Sequence, residues 1–246
     1  MSSLEHKALL QDQQEGQMLQ IHARPKPHLN IAGIDFAHSV KPALYLSGDA
    51  VDYFSLPDGR ILAYLLDVSG SGTAAALLCM FIKSIVRYSV AMSKDISAAS
   101  VLGDVNRLLL EAGIDKHATM VCMIVEPEHN KLQWANAGHT PRPFFWSENA
   151  AQLQLGGGQI IGLFAEATYQ NQVISLPERF SFVVVSDGVL DCLPEASFAE
   201  REQQLVELIE QEQGAFSALH ARLDLSRQQQ MPDDISMLVV SRGLYE

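Results

Sequence analysis

The stretch from Ile61 to Gly72 constrains this chain more than any other. Ile61-Leu-Ala-Tyr-Leu-Leu66 is an apolar run of strand length that ends on Asp67. Val68 leads into the small-residue turn Ser69-Gly-Ser-Gly72, and Thr73-Ala-Ala-Ala-Leu-Leu-Cys-Met-Phe opens a helix. A run without polar alternation reads as a buried strand. The carboxylate that ends it therefore stands at the mouth of a packed core. An unpaired charge there is costly, so Asp67 needs a cation or hydrogen-bond donors beside it. Asp49 and Asp52, just upstream, are candidates for the other half of such a site, one that holds divalent metal ions.

The rest of the composition fits that reading. The chain has 246 residues and a formal net charge of −12, which argues against nucleic acid or an anionic membrane as its main partner. Cys79, Cys122 and Cys192 sit among apolar neighbours and form no C-x-x-C pair. That usage reads as reduced core thiols and a cytoplasmic location. No apolar run is read as reaching the roughly 18 residues that cross a bilayer. The first residues, Met1-Ser-Ser-Leu-Glu-His-Lys7, lack the apolar core of a signal peptide.

Taken in order, residues 1 to about 23 are polar and rich in Gln. They read as a poorly amphipathic helix interrupted by Gly16 and stopped by Pro25 and Pro27. A helix that buries so little of itself needs a partner: this domain, a second copy, or an upstream segment. The last two are expected together, with a homodimer through the helix. The chain then divides into a linker helix over 1–25 and one domain over 26–246. Strands are expected over 29–36, 43–46, 49–54 and 61–66, with Pro57-Asp-Gly-Arg60 as a hairpin turn. Asp49 and Asp52 are three apart and would face opposite ways on a regular strand, so both can meet one ion only if the strand is bulged or Asp49 lies just before it.

Helices follow over 73–90 and 96–111, the second capped by Asp95 and stopped by Gly113. Further strands are expected over 119–125, 132–135, 143–146 and 173–176, with Gly156-Gly-Gly158 as a flexible loop. Arg179-Phe-Ser-Phe-Val-Val-Val-Ser-Asp187-Gly188 repeats the pattern of an apolar strand that ends on an acid. Helices over 199–212 and 214–226, a polar loop at Gln228 to Gln230, and Asp233-Asp234 before a last strand complete the chain. Strands and helices do not alternate regularly, which excludes a doubly wound parallel sheet.

Asp49, Asp67, Asp187 and Asp233 thus stand at strand ends, and strand ends can converge at one edge of a packed sheet. Hard oxygen ligands suit Mg²⁺ or Mn²⁺. A pair of such ions about 3.5–4 Å apart supports phosphoryl hydrolysis without a side-chain nucleophile.

Six stretches, in this order, carry a family resemblance: Pro42-Ala-Leu-Tyr-Leu-Ser-Gly-Asp-Ala-Val-Asp-Tyr-Phe54, Asp67-Val-Ser-Gly-Ser-Gly-Thr-Ala-Ala-Ala-Leu-Leu78, Trp134-Ala-Asn-Ala-Gly-His-Thr-Pro141, Ile161-Gly-Leu163, Ser186-Asp-Gly-Val-Leu-Asp191 and Asp233-Asp-Ile-Ser236. Over about residues 25–243 the chain resembles the metal-dependent type 2C (PPM) protein phosphatases, in their SpoIIE-like bacterial branch. The resemblance implies an α+β fold, an α-β-β-α sandwich of two antiparallel sheets packed face to face with helices outside. It also implies two Mn²⁺ or Mg²⁺ ions. Asp67 would bridge them, the Val68 carbonyl would help bind one, Asp187 and Asp233 would hold the first and Asp49 the second. Asp52 and Asp234 are secondary metal candidates. Asp67, Asp187 and Asp49 would carry catalysis on a phosphoserine or phosphothreonine of another protein.

In this branch the phosphatase is commonly the output module of a response regulator, and the chain is also similar to the C-terminal part of RssB-like regulators. Some members of that group have lost their metals and only bind partners, such as a sigma factor or an anti-sigma antagonist. The chain departs from the family pattern in three places: Ala50-Val51 replaces an aromatic pair, Ser71 replaces a His, and Leu190-Asp191 replaces Thr-Glu. His139 reads as a structural histidine in a packed loop.

Overall fold

The computed structural model describes residues 3–194, 196–225 and 232–244. The expected loop at Gln228 to Gln230 lies outside them. In chain order the elements are α1 (Ser3–His22), β1 (His28–Ile31), β2 (Ile34–Lys41), β3 (Ala50–Ser55), β4 (Ile61–Val68), α2 (Gly72–Met92), α3 (Ala98–Glu111), β5 (Ala118–Glu126), β6 (Lys131–Ala137), β7 (Phe144–Ser147), β8 (Ala150–Leu153), β9 (Gln172–Ser175), β10 (Phe180–Val185), a 3₁₀ turn over Asp187–Cys192, α4 (Phe198–Gln211), α5 (Phe216–Arg222) and β11 (Ile235–Arg242). One sheet has the order β1-β2-β11-β10-β7-β8 and the other β3-β4-β5-β6-β9, every pairing antiparallel.

The two-residue period of a strand sorts the core into three layers. Ile61, Ala63 and Leu65 of β4 pack between the sheets with Phe36, Trp134, Phe182, Val184, Leu238 and Val240. Leu62, Tyr64 and Leu66 face the other way, onto α2 and α3. Val183 and Val185 of β10 face α4 and α5. The result is the α-β-β-α sandwich that the resemblance implies.

Several local expectations are corrected. The segment 29–36 is broken by a turn at Ala32 and Gly33, both with positive φ, so it forms the β1-β2 hairpin. Residues 43–46 are a bent loop, not a strand. The amides of Ala43, Ser47 and Gly48 are taken by side chains, so this loop forms no ladder with a neighbouring strand. α3 starts after Ser97, which makes a reciprocal capping box with Ser100 in place of the expected Asp95 cap. The Gly156–Gly158 run is not a slack loop. A Cβ on Gly156 would meet Trp134 at 2.5 Å, and one on Gly158 would meet the Asn136 carbonyl at 2.5 Å. Glycine is there for close packing.

α2 is also long and apolar enough, at 21 residues, to pass a compositional test for a membrane span, contrary to the sequence reading. Half of that window is buried against the sheet and α3, and it carries Lys83 and Arg87. α1 packs its C-terminal end on the domain through Gln20, although Leu9, Met18, Leu19 and Ile21 remain exposed.

Candidate metal centre

Strand parity brings Asp49, Asp67 and Asp234 to one rim, whereas Asp187 and Asp233 lie off that parity, just beyond the end of β10 and before the start of β11. β4 sends its odd positions between the sheets, and Asp67 continues that face beyond Leu65. β3 does the same with Val51 and Tyr53, and Asp49, just before the strand, shares their parity. On β10 and β11 the intersheet positions 184 and 238 are followed towards the same rim by Ser186, Ser236 and Asp234. An apolar slab between two sheets thus ends in carboxyl and hydroxyl groups.

Three close approaches hold these segments together. A Cβ on Gly48 would lie 3.1 Å from the Val68 carbonyl oxygen and 3.3 Å from that of Gly70, so the Asp49 loop rests on the turn that follows Asp67. A Cβ on Gly188 would lie 2.1 Å from the Asp234 carbonyl oxygen, which fixes Asp187 beside the start of β11. Ser186 N donates to the Ser236 carbonyl at 2.9 Å, and Ser236 N donates to Ser186 Oγ at 2.8 Å.

The electrostatics follow from crowding like charges at a dry rim. Burial, then Asp187, Asp233 and Asp234, push the Asp67 carboxyl up to about 7. Burial and Asp233 raise Asp187. Burial and Asp67 hold Asp49 well above the carboxylate range, opposed by the nearby Ser236 and Ser186 hydroxyls. Neither hydroxyl completes a hydrogen bond to Asp49 Oδ2, which is buried without a partner. An orphaned carboxylate oxygen among other acids fits a hard divalent cation, as does the all-oxygen donor set. Among the described residues, no three His, Cys, Asp or Glu side chains are arranged to hold an ion as they stand.

Two expected ligands have other work. Asp52 has the opposite parity to Asp49 and faces α2. Its Oδ2 lies 2.9 Å from Arg87 and 3.5 Å from Lys83, and its Oδ1 accepts from Tyr53 N. Asp234 faces the rim, but its carboxylate accepts from Ala43 N at 2.7 Å, Gly48 N at 2.7 Å and the Ser47 hydroxyl at 2.9 Å. It is the tie for the loop that carries Asp49. Sequence reading assigned no role to Ser47, Ser186, Ser236 or Gln20. The only signal for the serines is register, at intersheet parity beyond apolar positions, and Gln20 on α1 has none.

His139 behaves as a structural residue. Nε2 donates to the Val185 carbonyl at 2.9 Å, so Nδ1 accepts from the Thr119 hydroxyl at 2.9 Å. Burial lowers its pKa to about 4, which keeps the ring neutral.

With the rim described, the family can be stated. Residues 57–243 match the family model for Stage II sporulation protein E, SpoIIE. The chain belongs to the SpoIIE family. Within reach of that family, the chain is 27% identical over 210 residues to phosphoserine phosphatase RsbU of Bacillus subtilis (strain 168), covering 82% of this chain and 61% of that one. The chain therefore spans about three fifths of that curated relative. Its fold is similar to the SiaA-PP2C domain of Pseudomonas aeruginosa, with a TM-score of 0.78 at 17% identity over 98% of this chain and 99% of that one. It is also similar to the catalytic domain of the serine/threonine protein phosphatase PstP in complex with two manganese ions, with a TM-score of 0.63 at 12% identity over 85% of this chain and 97% of that one. These SpoIIE-family and PP2C likenesses agree with the two-sheet sandwich.

Proposed function

We propose that this chain is a metal-dependent phosphoprotein phosphatase that acts on phosphoserine or phosphothreonine in a regulatory protein. One observation carries the reading: Asp49, Asp67, Asp187 and Asp233 come from distant segments, yet they are packed at one rim where their charges oppose one another. Such an arrangement is stable in ionised form only with compensating positive charge. RsbU, named a phosphoserine phosphatase, supports the reaction, and the fold relatives PstP, solved with manganese, and RsbX, solved with magnesium, support Mn²⁺ or Mg²⁺ as that charge.

Asp67, Asp187, Asp233 and Asp49 would hold the cations, with the Val68 carbonyl as a further oxygen donor. A pair of divalent cations, when bound, lowers the pKa of a water and offsets charge on a transferring phosphoryl group. The chain's own contribution is preorganisation. Asp234 fixes the loop at residues 43–48, Gly188 seats Asp187 on β11, and the apolar slab beneath keeps bulk water from the buried side of the rim. The SpoIIE-family context further suggests sigma-factor regulation, with the chain as the output module of a response regulator and a phosphorylated anti-sigma antagonist as the class of substrate. The test is phosphate release from a phosphoserine protein or peptide with Mn²⁺ against the same assay with a chelator. Release that needs the metal supports the reading, and its absence at every metal concentration overturns it.

A second reading is a binding module without catalysis. It is favoured by Ala50-Val51 where the family pattern has an aromatic pair and by Ser71 where it has His. A chain that captures a sigma-factor-related protein but releases no phosphate would establish it.

A further inference from the structure

Among the residues of α1, Gln20 is the exception. It is only 8% exposed, while its neighbour Leu19 is 72% exposed and Ile21 is 46% exposed. Its carboxamide is spent on one backbone unit. Nε2 donates to the Ser47 carbonyl at 2.8 Å, and Oε1 accepts from Ser47 N at 3.0 Å. A side-chain amide here replaces a missing strand neighbour and satisfies both backbone groups of a residue that is fully buried.

Ser47 in turn is the residue on which the Asp49 loop is assembled. Its hydroxyl donates to Asp234 Oδ2 at 2.9 Å and accepts from Asp49 N at 3.0 Å. The path from α1 to Asp49 therefore has one intermediate residue and only hydrogen bonds of ordinary length. None of the other attachments of this end of α1 is a hydrogen bond to the loop: a Cβ on Gly16 would lie 3.2 Å from the Leu46 side chain, Arg24 donates to the Val40 carbonyl at 3.0 Å with its charge in the field of Asp49 and Asp234, and Lys83 donates to the Ala23 carbonyl at 3.1 Å.

We infer that Gln20 is a positioning residue for the cation site, acting through Ser47 to fix the backbone of Asp49. The inference rests on the metal-site reading given above. Losing two hydrogen bonds to a buried peptide unit leaves both its polar groups unpaired, and the loop must shift to satisfy them. The register of Asp49 against Asp67 shifts with it.

The experiment compares the parent with Gln20→Ala, Gln20→Met and Ile21→Ala in two measurements. The first is Mn²⁺ affinity by calorimetry. The second is amide hydrogen exchange at Gly48 and Asp49 in the metal-free protein, which reads the loop without any metal. The expected result is about tenfold weaker Mn²⁺ binding and faster exchange at both amides in Gln20→Ala. Gln20→Met, which keeps the side-chain length and loses both hydrogen bonds, should lose as much as Gln20→Ala, and Ile21→Ala, at a half-exposed neighbour on α1, should match the parent. Parent-like affinity and exchange in Gln20→Ala would overturn the inference, as would equal losses in Gln20→Ala and Ile21→Ala. A parent that binds no Mn²⁺ but whose Gln20→Ala variant shows faster exchange would overturn the metal-site reading while upholding the positioning role of Gln20.

Discussion

Asp234 and Ser47, 187 positions apart in the chain, are joined by a 2.9 Å hydrogen bond from the serine hydroxyl to the carboxylate. Together with the amides of Ala43 and Gly48, that bond makes Asp234 the acceptor for three donors. It separates two kinds of acid at the rim: Asp234, whose oxygens are used by the protein, and Asp49, whose Oδ2 is used by nothing among the described residues.

Asp234→Ala should therefore be a folding variant. Three donors, two of them buried, lose their acceptor, and the cost is about 3 kcal/mol. Urea denaturation of the metal-free protein at pH 7 measures it. Asp234→Asn, which retains one acceptor oxygen, should lose less. A change within about 0.5 kcal/mol for the alanine variant would show that the 43–48 loop does not depend on this carboxylate.

Asp67→Asn should behave in the opposite way. It removes a buried charge that faces Asp187, Asp233 and Asp234. The metal-free variant should be at least as stable as the parent in the same urea titration, and metal-dependent phosphate release should fall by a factor of about 10² or more. Loss of stability comparable to that of Asp234→Ala would mean that Asp67 is a structural acid.

Asp52 is predicted to matter for folding and not for cations. Its carboxylate is buried against Lys83 and Arg87, so Asp52→Ala leaves Lys83 as an uncompensated charge in the core. Breaking a buried pair from one side costs about 3–5 kcal/mol. Mn²⁺ affinity of the folded fraction should remain within about twofold of the parent's. A large loss of affinity with little loss of stability would return Asp52 to the metal site.

Two histidines give the fold an acid-sensitive component. Burial is the first cause in both: His38, bonded to the Tyr53 hydroxyl and close to Arg24 and Lys83, is lowered to about 4, and His139 is also lowered to about 4. The unfolded chain binds these protons near pH 6.5, whereas the folded one does so only near pH 4, so each neutral ring loses stability for the fold as pH falls through that window. At pH 5 the loss is on the order of 2 kcal/mol for each ring. Ring proton shifts followed by NMR should show both histidines neutral at pH 5.5. A midpoint near 6.5 for either would contradict its buried, neutral state.

Much of this was legible in the residues. The apolar runs that end at Asp67 and Ser186-Asp187 fixed two strand ends, and the six motif stretches fixed the fold. The failures have physical causes. The opposite facing of Asp49 and Asp52 follows from the period of two, but the meeting of Asp52 with Lys83 and Arg87 of α2 is a tertiary contact. Asp234 is expected only as a secondary metal candidate beside Asp233, and the tertiary fold alone shows that it is bound by amides of the 43–48 loop, 191 and 186 residues earlier. The 43–46 segment has the composition of a strand, yet the Ala43 amide meets Asp234 and the amides just after it, of Ser47 and Gly48, meet Gln20 and Asp234. No local pattern encodes such contacts. The packed glycines at 156 and 158 failed for the same reason: a loop glycine and a close-approach glycine look the same until Trp134 and Asn136 are in place.

The central claim is that the crowded rim exists to bind divalent cations, and calorimetric titration of the parent chain with Mn²⁺ tests it most directly. The account predicts saturable binding of two ions, abolished by Asp67→Asn and preserved by Asp52→Ala in the folded fraction. A parent chain that takes up no Mn²⁺ or Mg²⁺ even at millimolar concentration, while remaining folded, would contradict it.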